Sequence, residues 1–153
     1  MYDIFVYLFE NCHRADLAQD DNELIARKLT AAGFDESDIS EALSWLAGVL
    51  HAPHRSLAPL PGQARAMRTY APKECAKLDA SCRGLVMHLE NIGVLDPVLR
   101  ELVMDRAMAA AGRRLSLDQL KLIVLMVLWN LETPASSLIA EELLSSTQDR
   151  LPN

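Results

Sequence analysis

The chain contains one uninterrupted apolar run, Leu-Ile-Val-Leu-Met-Val-Leu-Trp, at positions 122–129. A helix that is apolar on every side has to be surrounded by other parts of the protein. Eight residues are too few to cross a bilayer, which needs about 20, and Lys121 and Asn130 close the run at its two ends. The run therefore predicts a helix buried in the core of a soluble, helical protein.

Apolar residues in the first 51 positions recur at the spacing of three successive helices. The acidic residues Asp20, Asp21 and Glu23 favour the start of the second helix, where negative charge is stabilised by the helix dipole. Gly33 fits the C-terminal cap of that helix, and Asp35 fits the start of the third. We predict a three-helix N-terminal lobe over residues 1–51.

Prolines interrupt the helical pattern in the next segment. Pro53, Pro59 and Pro61 cannot lie inside a regular helix, so residues 52–71 are predicted to form a Pro-rich connector. Four further helices are predicted after it, over 72–91, from Asp96 to about Ala111, from Ser116 to about Leu131, and from Thr133 onward. The expected fold is all-α, with a four-helix C-terminal lobe over 72–153 around the apolar helix.

Composition restricts the classes of partner. The chain has 15 basic and 21 acidic residues and a net charge of -6, which disfavours general nucleic-acid binding. Three cysteines cannot all pair, which favours reduced, buried thiols and a cytoplasmic protein. The apolar run from Ile4 to Phe9 follows Asp3 and no basic residue, so we predict neither a signal peptide nor a membrane segment.

Two cysteines and a histidine form the one group that resembles a metal site. Cys75 and Cys82 are seven residues apart, which places them roughly 10 Å apart along a helix, and a zinc ion needs each sulfur at about 2.3 Å. The two cysteines are interpreted as small core residues, since free cysteine is among the most buried residue types. No metal, with or without His88, and no cofactor is predicted. Cys82 precedes Arg83, but it lies on the apolar face, so we predict a packed thiol and no catalytic residue.

A turn between the second and third helices is a candidate docking surface. The Gly33–Phe34 turn is similar to that of ubiquitin-associated domains, in which this turn and the end of the third helix bind partners. In this chain the corresponding residues toward the end of the third helix are Trp45 and Leu46. The alternative is that Phe34 fills the core of its own lobe. A DNA-reading third helix is disfavoured, because no Lys or Arg lies between Lys28 and Arg55.

Positive charge is concentrated in one stretch, which we call the basic strip, residues 55–83. Residues 53–83 contain six basic and two acidic side chains, and Lys73 and Lys77 are expected on one exposed helix face. A solvated face is the favoured interpretation, because six cations over about thirty residues is a modest density. Alternatively, the strip lies against the acidic N-terminal lobe within the molecule. Its candidate contact residues are Arg65, Arg68, Tyr70, Lys73, Lys77 and Arg83.

Several strings resemble one family. Leu-Asp-Ala-Ser-Cys-Arg-Gly at 78–84, Tyr-Asp-Ile-Phe-Val-Tyr-Leu-Phe-Glu at 2–10 and Val-Leu-Met-Val-Leu-Trp-Asn at 124–130 are similar to the Smg protein family of proteobacteria, over nearly the whole chain. The family has no established activity. Its genes often lie near those for a DNA-processing protein and a topoisomerase. This proximity, which the resemblance implies for the present chain, suggests a process but gives no mechanism.

The function predicted from these features is a non-enzymatic, cytoplasmic protein-interaction module or adaptor, with an unidentified protein partner and no cofactor. Its expected contact surfaces are the Gly33–Phe34 edge and the connector. The alternative is a nucleic-acid-associated accessory protein, in DNA processing or topology, that uses the basic strip.

Overall fold

The computed structural model describes residues 1–13, 17, 21–51 and 69–130, and this part of the chain is helical without a strand. Its helices are α1 (Tyr2–Asn11), α2 (Asn22–Ala31), α3 (Glu36–Leu50), α4 (Pro72–Lys77), α5 (Ala80–Asn91), α6 (Pro97–Ala109) and α7 (Leu117–Asn130). The predicted all-α fold is confirmed. Within the described ranges, no helix has the length and apolar character that a membrane span requires.

Local capping sets the limits of α2, as the sequence predicts. Asp21 accepts a hydrogen bond from the backbone N–H of Leu24 (3.3 Å) at the start of α2. At the other end of α2, Gly33 has a φ of +97°, which lets the N–H of Phe34 reach the carbonyl of Leu29 (3.2 Å). The chain then turns directly into α3.

Two compact units are formed, the first by residues 1–51 with 124–153 and the second by residues 52–123. In the first unit, α1 and α2 each pack against α3. The rings of Phe5 and Trp45 lie 4.8 Å apart between centroids, and those of Phe9 and Trp129 lie 5.7 Å apart. Aromatic contacts of this kind add to the area that these large side chains bury.

The apolar run is buried, as predicted. Every residue from Leu122 to Leu128 is less than 9% exposed. Ser116 and Gln119 cap each other at the start of α7: the N–H of Gln119 donates to Ser116 Oγ (3.1 Å), and the N–H of Ser116 donates to Gln119 Oε1 (3.0 Å).

The boundary between the two units falls inside α7, after Ile123. Residues 117–123 are therefore grouped with the second unit and residues 124–130 with the first. The division into 1–51, 52–71 and 72–153 stays a prediction, because residues 52–68 and the helix expected from Thr133 lie outside the described residues.

The single helix predicted over 72–91 is wrong, because the chain leaves the helical conformation in the middle. Leu78 ends α4 and forms an isolated parallel bridge with Leu115. Asp79 then begins α5 by accepting a hydrogen bond from the N–H of Cys82 (2.9 Å). A long-range backbone pairing and a strong N-terminal cap together outweigh the continuous apolar periodicity of this stretch.

A helical hairpin follows in the second unit. Asp96 caps α6 by accepting from the N–H of Leu99 (2.7 Å), and Pro97 occupies the first helical position, as predicted. The helices α5 and α6 pack against each other, and Arg100 donates from Nη1 to Glu90 Oε2 at 3.2 Å between them.

Candidate functional site

The structure places the predicted docking residues around Phe34 mostly in the interior. Trp45 and Leu46 are 4% and 3% exposed, and Phe34 is half-buried. The Phe34 ring packs edge-on against Tyr7 with centroids 5.6 Å apart. Of the four residues, Gly33 alone is exposed. This arrangement favours the alternative interpretation, in which Phe34 contributes to the packing of its own unit.

The basic strip is only partly on the described surface. Arg65 and Arg68 lie outside the described residues, Lys73 is exposed, and Tyr70 and Arg83 are half-buried. Lys77 is 8% exposed, so the expectation that it shares an exposed face with Lys73 is wrong.

Lys77 is buried because its ammonium group binds the C-terminal end of α6. Nζ donates to the carbonyl of Met108 (3.1 Å) and to that of Ala110. These carbonyls have no partner within their own helix, and a cation there is favoured by the helix dipole. Burial lowers the pKa of Lys77 below its ordinary value. Its role is therefore structural, and it is not available to a partner.

Two arginines that the sequence analysis did not select lie at the same place. The backbone N–H of Leu115 donates to the carbonyl of Lys77 (2.9 Å), which brings the exposed Arg113 and Arg114 beside the end of α4. With Lys73 and Arg83 they form a group that we call the basic junction. The adjacent Arg113 and Arg114 after Gly112 are the sequence feature that indicates a concentration of positive charge at this position.

The thiol of Cys82 is packed, as predicted. Its side chain is fully buried, and Sγ donates to the carbonyl of Leu115 at 3.6 Å. Burial, and then the nearby Asp79, raise the pKa of Cys82 to about 11, so that the nucleophilic thiolate is scarce at neutral pH. Cys75 is exposed, which corrects the expectation that all three thiols are buried. Within the described ranges, no three metal-ligating side chains converge on one point.

The thiols should differ sharply in reactivity. At pH 8, a pKa of about 11 leaves about one Cys82 thiolate in a thousand. We expect iodoacetamide to alkylate exposed Cys75 on the native protein at least about a hundredfold faster than Cys82, as followed by peptide mass spectrometry. Unfolded protein, in which all three cysteines should react at similar rates, is the control. Equal rates in the native protein would contradict the packing described here.

Large apolar side chains are exposed at the α5–α6 hairpin. Met87, Ile92 and Val98 are 38%, 55% and 39% exposed. They lie at or near the ends of the two helices that the 92–96 turn connects, and we call them the hairpin apolar surface. Leu24 on α2, 45% exposed, is the other large apolar side chain that the described residues leave open.

The first unit also has a small cavity. It is lined mainly by leucines, with Asn22, His51 and Asn130 as polar members, and His51 Nδ1 lies 2.8 Å from the Ala47 carbonyl at the end of α3. The cavity has room for about one water molecule, which is too little for an organic ligand.

Comparison with known proteins identifies the family. The family described as "Protein of unknown function (DUF494)" matches residues 1–152. A "Protein Smg homolog" of Aromatoleum aromaticum is 50% identical over 151 residues, covering 99% of this chain and 97% of that protein. Homologues of the same name from Azoarcus sp. (strain BH72) and Leptothrix cholodnii are 48% and 39% identical, covering 97% and 99% of this chain and 96% and 99% of their own lengths. No solved structure matches.

The fold and the match together define an all-α protein of a family whose function is unknown. The chain belongs to the Smg family, as its Leu-Asp-Ala-Ser-Cys-Arg-Gly string indicates.

Proposed function

We propose that this chain is a non-enzymatic protein-interaction module that binds a different protein through the hairpin apolar surface. The observation that carries the proposal is the exposure of Met87, Ile92 and Val98 within twelve residues of one hairpin. Isolated apolar side chains are common on protein surfaces, whereas a group of them is typical of a binding site.

The chemistry of the surface favours a protein partner. Each Å² of apolar surface removed from water stabilises a complex by about 25 cal/mol. An apolar segment of another protein can cover these side chains and remove them from water. Methionine is enriched in the centres of protein interfaces, and it adapts to partners of irregular shape. His88 and Asn91 are exposed on the same helix and provide the polar rim that such interfaces have.

A cytoplasmic location belongs to the same proposal. It is supported by the three free thiols in the described part of the chain, since cysteines in oxidising compartments are commonly paired.

The test is an affinity purification from native lysate after nuclease treatment, with quantitative mass spectrometry and three forms of the protein. The double variant Met87→Ser/Ile92→Ser removes the hairpin apolar surface, and Leu24→Ser is the matched control on the first unit. We expect one stoichiometric protein that is retained by the control and reduced about tenfold or more by the double variant. The purified partner should show the same order of affinities in calorimetry.

Two results would overturn the proposal. One is that no nuclease-resistant protein distinguishes the double variant from the control. The other is that sedimentation shows the wild type to be an oligomer that the double variant dissociates, because the hairpin apolar surface would then join copies of this chain.

A further inference from the structure

Four cations, Lys73, Arg83, Arg113 and Arg114, lie on the three segments that meet where α4 ends. The bridge between Leu78 and Leu115 brings the loop that carries Arg113 and Arg114 to the end of α4. Lys73 lies on α4 itself, and Arg83 lies in the first turns of α5, which begins two residues after Leu78. Arg83 Nε lies 3.4 Å from the carbonyl of Asp79, which fixes its position at the same junction. Residues forty positions apart in the sequence thus contribute to one positively charged surface.

The cations of the basic junction form no salt bridge with another described residue. Among the described residues, no carboxylate lies within ion-pair distance of Lys73, Arg83, Arg113 or Arg114. The other arginines in the described part of the second unit are paired, Arg100 with Glu90 and Glu101, and Arg106 with Asp105.

Asp79 lies beside Arg83 of the basic junction, and its carboxylate already accepts a hydrogen bond from the N–H of Cys82. Its pKa is lowered first by the hydrogen bonds from Cys82 at the start of α5, and further by the charge of Arg114. The carboxylate therefore caps α5 and forms no salt bridge with the four cations.

The two units carry net charges of opposite sign, so the net charge of the whole chain does not describe the second unit. The first unit has 14 acidic and 4 basic residues, and the second has 7 acidic and 11 basic. The overall charge of -6 is thus carried by the first unit, and the second is positive.

We propose that the basic junction binds the phosphodiester backbone of nucleic acid, a second activity beyond the protein interaction proposed above. Three of its four cations are arginines, whose planar guanidinium groups donate two parallel hydrogen bonds to phosphate. Lys73, Arg113 and Arg114 are exposed and Arg83 is half-buried, and the four come from α4, α5 and the loop before α7. Cations contributed by several segments suit an extended polyanion better than one small anion. Nucleic acid carries a negative charge on every phosphate along its length, and release of its counterions favours binding.

Fluorescence anisotropy tests the proposal with a labelled 20-nucleotide single strand and its 20-base-pair duplex, between 50 and 300 mM salt. Four phosphate contacts predict slopes of log K against log[salt] of about −3 for the single strand and about −4 for the duplex. The double variant Arg113→Gln/Arg114→Gln should reduce those slopes by about 1.4 and 1.8, and lower the affinity at 50 mM salt about tenfold or more.

The matched control is Arg27→Gln/Lys28→Gln, which removes the same two charges from an exposed face of α2 in the first unit. It should leave both slope and affinity within about twofold of the wild type. Thermal melts establish that each variant is folded. The single variants Arg113→Gln and Arg114→Gln should each show about half the change in salt slope of the double variant.

The proposal is overturned by an absence of binding at 50 mM salt, by an affinity that does not change with salt, or by equal losses in the two double variants. A labelled 20-residue polyglutamate distinguishes the class of partner. If it binds as tightly as the single strand and loses affinity in the same variant, the basic junction recognises acidic protein segments and the nucleic-acid proposal is wrong.

Discussion

Replacing Leu125 with aspartate should unfold the first unit. Leu125 is 1% exposed, and its neighbours Val124 and Met126 are fully buried. An unpaired buried charge costs about 3–5 kcal/mol, and the lost leucine packing adds to this, against a total stability of about 5–15 kcal/mol. Both tryptophans, Trp45 and Trp129, belong to this unit, so urea denaturation followed by tryptophan fluorescence reports on it directly.

The same substitution at Leu24 provides the control, because Leu24 is a helical leucine that is 45% exposed. Leu24→Asp should change the free energy of unfolding by no more than about 1 kcal/mol. A Leu125→Asp protein that stays soluble and melts at the wild-type midpoint would place the apolar run on the surface, where it would be a docking site.

Local signals allowed most of the helix limits to be predicted. Asp21, Asp96 and Ser116 each accept a hydrogen bond from the N–H group three residues later, and a cap of this kind depends only on residues within one turn. The burial of the apolar run followed from its having no polar face. These features are written in a few consecutive residues, which is why they are readable from the chain.

The break after α4 depends on a partner far away in the sequence. Leu78 pairs with Leu115, thirty-seven positions later, and no local pattern announces that bridge. The prediction of one helix rested on the continuous apolar spacing from Cys75 to Leu89 alone. The basic junction was missed for the same reason, since Arg113 and Arg114 reach α4 only through this bridge.

Apolar residues at a helix end do not reveal whether they face a partner or a core. Trp45 and Leu46 fit both interpretations of the sequence, and the position of α1 decides between them, because Phe5 packs on Trp45 at 4.8 Å. Conversely, Met87 belongs to a helix whose apolar periodicity predicted one buried face, and its exposure became visible only in the packed hairpin.

Replacing Lys77 with methionine should destabilise the protein by about 3 kcal/mol. The methionine keeps the length and apolar stem of the side chain but removes the donor that Met108 and Ala110 share. Hydrogen bonds from a charged group contribute about 1.5–3 kcal/mol each, and their loss leaves two carbonyls at the buried end of α6 unsatisfied. Urea denaturation followed by far-UV circular dichroism gives the free energy of unfolding.

Lys73→Met is the matched control, one turn earlier on the same helix and exposed, and it should stay within about 0.5 kcal/mol of the wild type.

The pH dependence of the free energy of unfolding gives a second measurement. Burial lowers the pKa of Lys77 in the folded protein below the ordinary 10.5 of the unfolded chain. Between these two pKa values the unfolded chain binds more protons than the folded protein. The contribution of Lys77 to the free energy of unfolding therefore rises with pH in this range. The deficit of Lys77→Met should therefore grow on the alkaline side, while the Cys82 titration, common to both proteins, cancels in the difference. A constant deficit would mean that Lys77 keeps its ordinary pKa, and no deficit at all would mean that water satisfies the end of α6.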